Sequence, residues 1–137
     1  MDLYLDVDDT IIRWLDDDHR EVDGVNPYGA GRDMWRPDYE LLSFVWDARA
    51  SFEHVYIWSG GGALYAYEWR SRVAPWTDDA FAKDVGRPRR GDICVDDQYA
   101  SLAPRSAGVL VVSPGHFKDI VGEAVHQHRG WPHLTSS

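Results

Sequence analysis

Two carboxylates stand two residues apart in Leu5-Asp6-Val7-Asp8-Asp9-Thr10, and that spacing is the strongest chemical signal in the chain. At the end of an extended strand, residues i and i+2 point the same way, so Asp6 and Asp8 converge on one point in space. Carboxylates held this closely repel each other and need a cation or a shared proton. Magnesium, which takes a few carboxylates together with water and phosphate oxygens, is the natural resolution. A second acid pair, Asp96-Asp97, follows the apolar run Ile93-Cys94-Val95. Ser59 ends another apolar run, Val55 to Trp58, where its hydroxyl and the amides of Gly60, Gly61 and Gly62 suit an anion at the start of a helix. A cation precedes the second acid pair, either Lys83 or Arg87. Taken singly, each feature has an ordinary reading as a turn, a cap or a solvated charge. Their order along the chain (acid pair, hydroxyl, cation, acid pair), with three of the four at strand ends, is what points to one site.

Strands must end at these groups to position them. Leu3 to Val7, Val55 to Trp58, Ile93 to Val95 and Val109 to Val112 are short apolar runs that stop at polar or turn-forming residues, as buried parallel strands do. Between the first two, Pro37 sits where a helix accepts proline, Asp38 and Glu40 fall in the first turn, and Leu41, Leu42, Val45 and Trp46 share a face. Helices are also predicted over Ala63 to Val73 and His116 to His128, the latter with Ile120, Val121, Ala124 and Val125 as its buried stripe. Strands alternating with helices predict an α/β fold with a mainly parallel sheet covered on both faces. Ligands of such sheets collect outside the carboxyl ends of the strands, so two acid-tipped strands face one crevice if they are neighbours. Residues 12–36 break the alternation and read as a small hairpin followed by a loop, with Asp16-Asp17-Asp18 a solvated turn rather than a metal site. Residues 131–137 read as a flexible tail, which leaves a single domain over 1–130.

The ordered set Asp6-Val7-Asp8-Asp9-Thr10, Ser59, Lys83 and Asp96-Asp97 resembles the four motifs of the haloacid dehalogenase (HAD) superfamily in its phosphatase branch, over most of the chain. The resemblance implies a Rossmann-like three-layer fold in which the first and fourth motif strands lie side by side. It implies that Asp6 is a nucleophile forming an aspartyl-phosphate and that Asp8 is the general acid, then the base that activates water. Ser59, with Thr10 and Gly60, would bind the transferring phosphoryl group, and Lys83 would neutralise charge on it and on Asp6. Magnesium would be held by Asp6, the backbone carbonyl of Asp8, and Asp96 with Asp97. Dehalogenases of the family lack the second acid, so Asp8 favours a phosphatase. Gly86-Arg87-Pro88 is similar to the Gly-Lys-Pro of some small members, which makes Arg87 the alternative third-motif cation and a substrate-binding candidate. The spaces where members carry cap domains are short here, implying minimal or no cap and an open site suited to a phosphate on a macromolecule.

Composition narrows the alternatives. The 137 residues, 44% hydrophobic and 27% charged, are ordinary for one globular domain. A net charge of −9 opposes nonspecific attraction to nucleic acid, despite the local cluster Arg87, Arg89 and Arg90. A metal-dependent nuclease or a nucleic-acid-end phosphatase using the same four acids, and a catalytically silent HAD-like interaction module, are the competing functions. A response-regulator receiver would place a lone acceptor Asp at mid-chain and its lysine last, unlike this order. One cysteine, Cys94, excludes an internal disulfide and a cysteine-rich zinc site. The six histidines show no metal-ligand spacing, and the seven Trp, scattered along the chain, read as packing units. No signal-peptide core or bilayer-length apolar run is present, so a cytoplasmic protein without membrane contact is expected.

Overall fold

The computed structural model describes residues 1–22, 34–105 and 108–126, with side chains as far as residue 120 in the last stretch. Along the chain run β1 (Asp2–Asp6), β2 (Ile12–Trp14), β3 (Trp35–Pro37), α1 (Tyr39–Ala48), β4 (His54–Ser59), α2 (Ala63–Val73), β5 (Asp79–Ala82), β6 (Ile93–Val95), α3 (Tyr99–Leu102), β7 (Leu110–Val112) and α4 (Pro114–His126). Five strands form one sheet in the order β5-β4-β1-β6-β7, and all four neighbouring pairs are parallel. The expected α/β architecture is therefore present, with β1 at the centre.

Alternation along the strands divides the core. Leu3, Leu5, Val55, Ile57, Ile93 and Val95 point to one face, where Leu41 and Val45 of α1, Ala66 and Trp69 of α2 and Phe117 of α4 cover them. Tyr4, Trp58 and Cys94 point to the other, which is covered more thinly by Leu102 of α3 and the segment carrying Val85. Covering on both faces holds, but unequally. Burial pushes the Cys94 thiol up to about 12, which leaves it an inert packing group.

Several boundaries differ from those expected. Pro37 closes β3, and Asp38 is the N-cap of α1, its carboxylate accepting from the Leu41 N–H at 3.0 Å. Trp46 is not on the buried face of α1; it is exposed, with the Arg49 guanidinium stacked 3.4 Å from its ring centroid. Strand β5 was hidden because Asp79-Ala80-Phe81-Ala82 has no apolar run, yet it pairs along β4 from Tyr56 to Ser59. Helix α4 begins two residues early, with Ser113 Oγ accepting from the His116 N–H; Ile120 is half-buried, and the expected stripe at Val121, Ala124 and Val125, like the tail, lies outside the described side chains.

After β1 the segment expected to be a hairpin followed by a loop up to residue 36 ends instead in a strand, β3, that pairs back on β2. Strand β2 pairs antiparallel with β3, and Leu15 bridges Glu21 across a turn in which Asp16 Oδ1 accepts from the N–H groups of Asp18 and Arg20. The three acids there are a turn, as expected. Residues 23–33 of the predicted loop lie outside the described residues.

Candidate active site at the carboxyl edge of the sheet

Strand register brings the candidate groups together. Leu5 pairs with Val95, so Asp6 and Asp96 follow on adjacent strands at the same level. Asp6 pairs with Trp58, which puts Ser59 one step beyond it, and Ser59 pairs with Ala82, which puts Lys83 immediately past β5. Four neighbouring strands thus deliver one group each to the same edge.

Lys83 is the hub. Its Nζ donates to Asp6 Oδ1 at 2.9 Å and lies 2.7 Å from Asp96 Oδ2, an ion-pair contact outside hydrogen-bond alignment. Burial opposes the ammonium charge, but Asp6 and Asp96 outweigh it and hold the Lys83 pKa above its ordinary value. Asp6 is buried, and burial together with the charge of Asp96 raises its carboxyl well above the usual range, against the pull of Lys83. Burial also raises Asp97. Oxygens of Asp6, Asp96 and Asp97 all lie within 4.8 Å of one another, an all-carboxylate donor set that fits a small hard cation such as magnesium. The carboxylate of Asp8 is not in that set.

Asp8 is held elsewhere. The chain turns sharply after β1: the Val7 carbonyl accepts from the N–H groups of Thr10, Ile11 and Ile12, and Asp9 takes a φ of 58°, a left-handed backbone that aspartate tolerates better than most residues. Trp14 Nε1 from the hairpin and the Tyr65 hydroxyl from α2 both donate to Asp8 Oδ1 at 2.9 Å. Trp14, Trp35 and Tyr65 pack edge-on around Trp69, which fixes both donors. Oδ2 of Asp8 receives neither bond.

The remaining candidates divide. Thr10 Oγ1 donates to Asp6 Oδ2 over a long 3.4 Å and is fully buried, which makes it a support for Asp6. Ser59 is buried; its Oγ accepts from the Gly61 N–H at 3.0 Å, and its hydroxyl proton has no acceptor among the described residues. Gly60 is exposed beside it, and Gly62, with φ of 107° that a side chain would strain, opens α2. Arg87 is exposed, its guanidinium 3.6 Å from the Phe81 ring centroid, while Lys83 makes the contact with Asp6. Lys83, Asp96, Gln98, Ser101 and Arg105 line an open cavity of about 320 Å³ beside the acids.

Sequence reasoning missed Trp14, Tyr65 and the cavity wall beyond Asp97. Trp14 and Tyr65 were indistinguishable from packing aromatics, and only their placement in the hairpin and the first turn of α2 reveals them. A second cluster, Asp2, Glu53 and His54, lies at the amino edge. Its groups already have partners, with the Met1 ammonium 3.0 Å from Glu53 and His54 Nδ1 3.1 Å from Asp2. Compared with family models, curated proteins and solved structures, the chain matches none of them. Among the described residues no helix is long and apolar enough to cross a membrane.

Proposed function

We propose that the chain is a magnesium-dependent phosphomonoester hydrolase, a HAD-like phosphatase in which Asp6 carries the phosphoryl group between substrate and water. The observation that supports this best is the Lys83 ammonium seated between Asp6 and Asp96. A carboxylate cannot approach an anionic phosphate unaided, and a sheltered lysine shared by two acids relieves that repulsion where the bond forms. Asp6, Asp96 and Asp97 would hold magnesium, which would supply further neutralisation of the carboxylates and the phosphate oxygens.

An Asp6 oxygen attacks phosphorus, forming an O–P bond as the bond to the substrate oxygen breaks. Asp8, protonated on Oδ2, gives its proton to that leaving oxygen. Its Oδ1 already accepts two hydrogen bonds, so Oδ2 is the oxygen free to carry a proton. Asp8 then takes a proton from water, whose oxygen attacks phosphorus and releases Asp6 and inorganic phosphate. The Ser59 hydroxyl and the amides opening α2 hold the equatorial phosphoryl oxygens through both steps.

Acid-quenched protein mixed with ³²P-labelled aryl phosphate and magnesium tests this. Label retained in acid and removed by hydroxylamine is expected, as for an acyl phosphate, and Asp6→Asn should abolish both labelling and turnover. Full turnover by Asp6→Asn, or turnover indifferent to a chelator, would falsify the reading.

A further inference from the structure

We propose that the cavity beside Lys83 binds a second anionic group on the substrate, with Arg105 as its receptor, so that the preferred substrate is a small phosphomonoester whose alcohol carries another negative charge. The proposal rests on the phosphatase reading for where the phosphoryl group sits. Its own support comes from the cavity. At about 320 Å³ it falls at the small end of ligand pockets, which span roughly 300–1,000 Å³. Lys83 and Asp96 line it, so whatever occupies the cavity lies beside the proposed phosphoryl site. Gln98, Ser101, Leu102 and Arg105 line it as well.

Charge selects the occupant. The chain carries a net −9, and the acids around Asp6 would repel a second anion unless a cation faced it. Asp96 is offset by Lys83 at 2.7 Å. Arg105 is exposed, and no carboxylate among the described residues pairs with it, unlike Arg13 with Asp38 or Arg72 with Glu68. A guanidinium presents a planar fork of donors that matches a carboxylate or a phosphate bidentately. Ser101 Oγ donates to the Gln98 carbonyl and Gln98 N–H donates to Asp96 Oδ1, bonds that fix this wall to the acid cluster. An open edge without a cap suggested a macromolecular phosphate; the cavity gives a compact leaving group a place of its own.

The test is equilibrium binding by calorimetry, with magnesium present, of phosphoglycolate and of its neutral counterpart 2-hydroxyethyl phosphate, all in an Asp6→Asn background in which neither ester is turned over. With Arg105 intact, this protein is expected to bind phosphoglycolate at least tenfold more tightly. Arg105→Ala should cut the ratio of the two affinities at least tenfold, and Arg105→Lys should restore part of it. Propane-1,3-diol bisphosphate, run alongside, distinguishes a carboxylate from a phosphate as the preferred second anion. An affinity ratio near one with Arg105 intact, or a ratio unchanged by Arg105→Ala, overturns the proposal. Because the readout is binding, it decides the role of Arg105 even if the ³²P experiment removes the proposed chemistry.

Discussion

Lys83 and Arg87 are four residues apart, and only one is sheltered. Losing a charge-assisted contact at a site of developing charge costs about 2.7–4 kcal/mol, or ~10²–10³ in rate, whereas an exposed cation acts weakly through screened attraction. Steady-state kinetics of Lys83→Ala should show kcat reduced by roughly two to three orders of magnitude, and Arg87→Ala, which loses a stack on Phe81, should keep most of it. The reverse pattern would make Gly86-Arg87-Pro88 the third motif. Tyr65 offers a finer probe. It orients the proposed acid rather than touching phosphorus, so Tyr65→Phe should slow alkyl phosphates, whose leaving oxygen needs a proton, more than 4-nitrophenyl phosphate, whose leaving group does not. Equal losses on both would sink the orienting role. Asp6, Ser59 and Asp96 were legible because each terminates or directly follows an apolar strand, and strand ends are where a parallel sheet presents chemistry; Lys83 was legible only from its place before the second acid pair, since β5 was hidden. Tyr65 was not, since a hydroxyl on a helix gains meaning only from what lies opposite.

Among the elements, α1 and the hairpin are joined through one carboxylate. Asp38 caps α1, accepts from the Arg13 guanidinium of β2 at 3.0–3.1 Å, and lies 3.3 Å from Lys118 of α4. Burial works against its charge, but the Leu41 N–H, Arg13 and Lys118 together hold its carboxyl below the ordinary value. A depressed folded pKa contributes stability that is fully present above the unfolded value of about 3.9 and is lost as pH falls through the folded one. Denaturant melts should therefore show wild type losing stability below about pH 4 more steeply than Asp38→Asn, which keeps a cap acceptor without a titrating charge. Asp38→Ala should cost about 1–3 kcal/mol at neutral pH; a cost near zero would mean the junction is idle. The position of α1 was readable from Leu41, Leu42 and Val45, but its start was not, since Asp38, read as a first-turn residue after Pro37, is the N-cap. Strand β5 was not, because Asp79 and the small Ala80 and Ala82 carry no strand signature, and the strand is held by its pairing with β4.

For the molecule as a whole, the acid cluster sets stability against the proposed activity. Asp6 titrates above its unfolded value, so its contribution is greatest below the unfolded pKa and declines as pH rises through the folded one, where ionising it beside Asp96 costs stability. A cation that binds the native state alone reverses this, by about 2.7 kcal/mol at a hundredfold excess over Kd. Thermal melts at pH 7 should show magnesium raising Tm by several degrees in wild type and far less in Asp96→Asn. An equal shift in both would remove the acids as the metal's ligands. The fold class followed from strands alternating with helices, but the order of strands did not, since no local pattern says which apolar runs become neighbours. That order has a consequence for biosynthesis. The central strand β1 is translated before both its neighbours: Asp2 meets His54 and Asp92, partners 52 and 90 residues downstream. While the ribosome is still making that intervening chain, β1 has two unpaired edges and an apolar sequence, the form most prone to sticking to other nascent chains. Only once Asp96 has emerged can β1 gain its second neighbour, β6, and can the carboxylates meet.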